Sequence, residues 1–189
     1  MTRDAFKERE KTLEDSFFFQ RDSELMQNLK IQLERERQRA ALCQECGIRD
    51  EATLDHLLAI GIRPETIPAV TLVPLVLVAW SDRLMEQAER EAILQAAREE
   101  GLEEDTVCWN LLQQWLRNAP PIEALKQAWV DYVGAVCKQM SAAGKQALHD
   151  ESLGRARRVA KAAGGILGIG TVSSPEWAVL GELESAFHT

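Results

Sequence analysis

The stretch from Ile67 to Trp80, IPAVTLVPLVLVAW, carries no charged side chain and ends in six consecutive apolar residues. A helix that is apolar on every side has to be enclosed by other material. This stretch falls short of the roughly 20 apolar residues needed to span a bilayer, and Pro68, Thr71 and Pro74 interrupt it. It therefore predicts a buried core helix around which the rest of the chain packs. With 189 residues there is enough length to build such a core. The amino terminus, MTRDAFKEREK, is charged from its start and lacks a signal-peptide pattern. The expectation is a cytoplasmic protein without a transmembrane segment, its four cysteines (Cys43, Cys46, Cys108, Cys137) kept as reduced thiols.

Ala, Leu, Glu, Gln and Arg dominate outside that run, and strand formers are scarce, so the fold class is all-α. Residues 4–42 read as one long charged helix or two in series. Phe6, Leu13, Phe17, Leu25, Leu29 and Leu33 form a rough apolar stripe that a partner helix or the main domain must cover. Gly47 stops it. A short helix follows at 51–59, with Asp50 as N-cap and Gly61 past its end. The apolar helix starts at Pro64 or Pro68 and bends at Pro74. Further helices are expected at about 88–99, 103–116, 122–140, 145–163 and 174–187. Inward-facing residues are Val107, Leu111, Leu112, Trp115 and Leu116 in one, and Leu125, Trp129, Val133, Val136 and Met140 in another. The domain organisation is thus an amino-terminal helical arm, 1–46, and an all-α domain, 47–189.

Charge is uneven. Residues 51–105 carry four basic and twelve acidic side chains, the whole of the net −8. Such a surface argues against nucleic acid, whose phosphates need a positive partner. Four of the acids, Asp82, Glu86, Glu89 and Glu91, follow Trp80 directly, and this acidic turn has an echo near the carboxyl terminus. Aligning 81–89 with 168–176 matches Met85 to Val172, Glu86 to Ser173 and Glu89 to Glu176, each followed by an apolar helical pattern. Ser173 and Glu176 have capping-box spacing. Glu86 is a poorer cap whose charge still suits a helix N-terminus, whereas Asp82, close to a helix C-terminus, opposes the dipole and needs another reason to be there.

The stretch PLVLVAWSDRLMEQAEREAIL, 74–94, resembles the signature of TerB-like domains of the tellurite-resistance group. Ala79, Asp82, Met85, Glu86 and Glu89 stand in register, and GGILGIGTVSSPEWAVLGELESAF resembles the second copy of the motif. The resemblance, over about residues 62–187, implies a TerB-like helical bundle of about seven helices with an internal pseudo-repeat. It also implies a stress-response association and no catalytic reaction. A cation site built from both copies would retain Asp82, Glu86 and Glu89 from the first and Glu176 from the second, since Ile169 replaces the second aspartate. Arg83 replaces the usual glycine. An EF-hand loop from Asp82 fails, because its third, sixth and twelfth positions are Leu84, Gln87 and Ile93.

Other motifs point to structure more than to chemistry. Cys43-Gln-Glu-Cys46, with His56 ten residues on, lacks the fourth ligand a zinc site needs. No nucleophile, phosphate loop or HExxH motif occurs, so no cofactor and no enzyme is expected. The basic run RARRVAK, 155–161, reads as a solvated face, and Trp109, Trp115 and Trp129 as core anchors. EREKTLEDSFF, 8–18, is similar to the opening of the zeta-type inhibitor of ATP synthases, which would make the arm a partner-inserting helix. Three readings follow. The first is a non-enzymatic, partner-binding TerB-like module in a stress-response or envelope-associated pathway. The second is a divalent-cation sensor using Asp82, Glu86 and Glu89, and the third a regulatory inhibitor acting through the amino-terminal helix. Homo-oligomerisation through that helix is also open.

Overall fold

The computed structural model describes the backbone of residues 3–164 and 173–188 and the side chains of residues 21–161 and 173–187. Eight α-helices and no strand occur among the described residues. In order they are α1 (Arg3–Cys46), α2 (Glu51–Ala59), α3 (Val73–Ala79), α4 (Gln87–Glu99), α5 (Val107–Arg117), α6 (Ile122–Cys137), α7 (Ala142–Gly164) and α8 (Ser174–Ser185). A 3-10 helix, Pro64–Leu72, precedes α3. The chain divides into two units, residues 1–40 and 41–189, and the division falls inside α1. The last residues of α1 belong to the second unit, where Leu42 is fully buried.

In the unit of residues 41–189, α3 is the centre. Each of its seven residues is buried, and α4, α6, α7 and α8 all pack against it. A segment of Val, Leu, Pro and Ala side chains has no polar face to turn outward, so it is stable only when surrounded. The 3-10 helix lies against α5, and α2 against α6. No single described helix is long and apolar enough to cross a membrane.

The expected single bent helix over this run is instead two elements. Pro74 does not bend a helix in its middle; it sits in the first turn of α3, where its missing N–H costs nothing. The preceding residues close the tighter 3-10 pattern, anchored by the Arg63 N–H donating to Thr66 Oγ1 at 2.8 Å. The start of α5 also lies later than expected. Thr106 caps it, accepting from the Trp109 N–H at 3.2 Å, and residues 103–106 remain outside the helix. Val107, expected to face inward, is 64% exposed, and Met140 lies beyond the end of α6 and is also exposed.

Other stops match their chemistry. Past α2, Gly61 has φ +89°, and the Gly61 and Ile62 N–H groups donate to the Leu58 and Leu57 carbonyls at 3.1 and 3.0 Å. That left-handed step is open to glycine at no steric cost. Ile62 and Leu57 are both fully buried, so the turn lies against the apolar core.

Candidate functional site

The acidic turn occupies residues 80–86 between α3 and α4. Its base is fixed to α5, because two donors reach the carbonyls that α5 leaves free at its C-terminal end. Trp80 Nε1 donates to the Trp115 carbonyl at 2.9 Å, and Arg90 Nη2 to the Leu116 carbonyl at 2.6 Å. Met85 is half-buried against the core, whereas Leu84, at the tip, is 69% exposed. Beside the turn an open cleft of about 730 Å3 is lined by Leu77, Trp80, Arg83, Ile122 and Val179, among others.

Each acid of the turn has a separate task. Asp82 Oδ1 accepts the Leu84 N–H at 2.9 Å, which supplies the reason for a carboxylate at this unfavourable end of α3: it ties the loop locally. Glu86 is the N-cap residue of α4 and stays exposed. Glu89 is 5% exposed, and its Oε2 accepts the Glu86 N–H at 2.8 Å. Burial pushes the Glu89 carboxyl up to about 7 against the pull of that hydrogen bond, with the charges of Asp82, Glu86 and Glu176 adding to the rise.

The α7–α8 junction carries the same device. Ser173 Oγ accepts the Glu176 N–H at 3.4 Å, and Glu176 Oε2 accepts the Ser173 N–H. Glu176 is 6% exposed, and its Oε1 is buried without a hydrogen-bond partner. The packing of α7 and α8 on α3, and of α7 on α4, brings the two helix starts near enough for Glu176 to act on Glu89 electrostatically. Val172 and Ile169, aligned with the first turn in sequence, lie outside the described residues.

With Arg83 in place of the usual glycine, a different turn geometry is expected; Arg83 instead takes the left-handed conformation itself, φ +68°. An L-residue there carries a steric cost of about 1–2 kcal/mol. Arg83→Gly is therefore expected to raise the unfolding free energy by about 0.5–1 kcal/mol, the remainder offset by glycine's greater freedom in the unfolded chain. Urea unfolding checks this, with Arg83→Ala as the control that gains nothing.

The remaining candidates fall elsewhere. Cys43 and Cys46 are free, half-buried thiols at the end of α1. His56 Nδ1 lies 2.6 Å from Asp131 Oδ2 of α6. Arg155 corrects the reading of the basic run as a solvated face. It is 9% exposed, pairs with Glu100 at 2.6 Å and Glu151 within α7, and so ties α7 to the end of α4. The signal was present in the spacing, since Arg155 shares a face with Ser152 and Val159, which are also buried. Trp109, Trp115 and Trp129 are core anchors, each at most 4% exposed. Among the described residues no three His, Cys, Asp or Glu side chains converge in a way that could hold a metal ion.

Comparison of the chain with protein-family models, curated proteins and solved structures finds no match in any of the three.

Proposed function

We propose that residues 41–189 are a non-enzymatic, TerB-like module that binds a protein partner in a stress-response or envelope-associated pathway, with the acidic turn as its contact surface. The reading treats the α3–α4 and α7–α8 junctions as two copies of one hairpin. What supports it is the shared arrangement of the two junctions, each with a buried glutamate, Glu89 or Glu176, accepting the N–H of its own N-cap residue. Between them the first junction presents Leu84, an exposed apolar side chain flanked by Asp82 and Glu86. An exposed apolar side chain beside Arg83, with Asp82 and Glu86 two positions to either side, suits a partner surface that offers an apolar pocket and basic groups. Affinity purification of the full chain from its native cell tests this. A partner retained by the wild type and lost with Leu84→Asp, at unchanged melting temperature, is expected. The same co-purifying set with both chains overturns the reading.

A divalent-cation sensor is the second reading, favoured by the unpartnered Glu176 Oε1. To serve it, Asp82 would have to release the Leu84 N–H and join Glu86, Glu89 and Glu176. A ligand that binds only the folded state at 100 times its dissociation constant adds about 2.7 kcal/mol of stability. Partner binding alone predicts no thermal shift in millimolar calcium or manganese. A shift that disappears in Glu89→Gln and Glu176→Gln chains would replace the first reading with the second.

A further inference from the structure

Among the described residues of the amino-terminal unit, α1 carries an exposed apolar stripe. Leu25, Met26, Leu29 and Leu33 are each 51–59% exposed. At about 100° per residue they fall within an arc of roughly 100° on one side of α1, wide enough to pack against a partner helix. We propose that this stripe is covered by the same stripe of a second copy of the chain, running antiparallel over residues 15–40.

Charge selects both the occupant and its direction. Residues 15–27 hold three acids (Asp15, Asp22, Glu24) and one base (Arg21), whereas residues 28–40 hold four bases (Lys30, Arg35, Arg37, Arg39) and two acids (Glu34, Glu36). The first half is net −2 and the second net +2. Parallel pairing sets like on like, and antiparallel pairing sets each half against its complement. The helix is thus complementary to itself in one direction only.

The register follows from the apolar residues. Placing Met26 opposite Leu29 of the other copy makes the two central layers wholly apolar. The same register sets Asp22 opposite Leu33, one helical turn from Lys30 and from Arg37 of the second copy. The overlap of 26 residues is about 39 Å long. With one acid in each flanking layer, it belongs at the small end of stable interfaces. Dissociation in the range of about 10–100 μM is expected.

Sedimentation velocity of the full chain between about 5 and 200 μM tests the association. A reversible monomer–dimer equilibrium is expected, abolished by Leu29→Glu without change in the melting temperature. Disulfide trapping tests the direction, in chains with Cys43 and Cys46 replaced by serine. An equimolar mixture of Asp22→Cys and Leu33→Cys chains is expected to give the mixed dimer in high yield. Leu33→Cys alone is not, because its two copies lie roughly 16 Å apart along the axis. A monomer at the highest concentration, a dimer indifferent to Leu29→Glu, or efficient trapping by Leu33→Cys alone would each overturn the proposal.

Discussion

Trp129→Ala is expected to lower the unfolding free energy of the protein by about 3–5 kcal/mol, a large part of the total for a single domain. Trp129 is 2% exposed on α6 and meets the Phe187 ring edge-on, with centroids 5.8 Å apart. Phe187 in turn packs against His149 of α7, at 5.1 Å. The indole thus joins α6 to Phe187, which in turn reaches α7, and its removal leaves a void that helices held at several points cannot close. Trp129→Phe, which keeps an aromatic edge, should lose less than half as much. A double-mutant cycle of Trp129→Ala with Phe187→Ala should give a coupling of about 0.5–1.5 kcal/mol. Urea denaturation of the five proteins measures all of these. A loss below about 1 kcal/mol for Trp129→Ala would mean that α6 does not pack on the carboxyl-terminal segment in this way.

The second large effect is a pH dependence set by Glu89. Its carboxyl is raised to about 7 from an ordinary value of 4.5, chiefly by burial. Between those two values the folded protein holds a proton that the unfolded chain has released. Stability from this group is therefore complete below pH 4.5, declines as pH rises, and is lost once pH passes 7. Glu89→Gln keeps an oxygen to accept the Glu86 N–H and removes the titration. At pH 8, in the presence of a chelator, the variant is expected to be more stable than the wild type by about 1–3 kcal/mol. Near pH 5 the two should differ little. Urea midpoints across that range give the comparison, and a variant less stable than the wild type at pH 8 would place Glu89 in a stabilising ionised state instead.

Local chemistry made much of the fold legible. Gly47, Asp50, Gly61, Ser173 and Glu176 are helix starts and stops whose function is decided within about four residues of sequence, and the structure uses them as such. The apolar run announced its own burial. Some misreadings arose where two local patterns compete, as at the late start of α5 capped by Thr106, and others where a neighbour distant in sequence decides the outcome. Pro74 reads equally well as a kink or a first-turn residue until the 3-10 segment before it is fixed by Arg63 and Thr66. Arg155 looks solvated until Glu100 comes within reach from α4. His56 and Asp131 are separated by 75 positions, and no spacing rule connects them. The aligned glutamates were visible as an echo, but the effect of Glu176 on Glu89 was not, because it depends on how α7 and α8 pack on α3.

Two cap glutamates are buried, one at each helix junction, and Glu89 is raised by its own burial first and by the Glu176 charge in addition. Carbon-13 NMR titration of the glutamate side-chain carboxyls measures this directly, in the wild type and in Glu176→Gln. The expected result is a Glu89 carboxyl that titrates near 7 and moves toward lower pH when the Glu176 charge is removed. A Glu89 that titrates in the ordinary carboxylate range, or one unmoved by the Glu176 substitution, would contradict it.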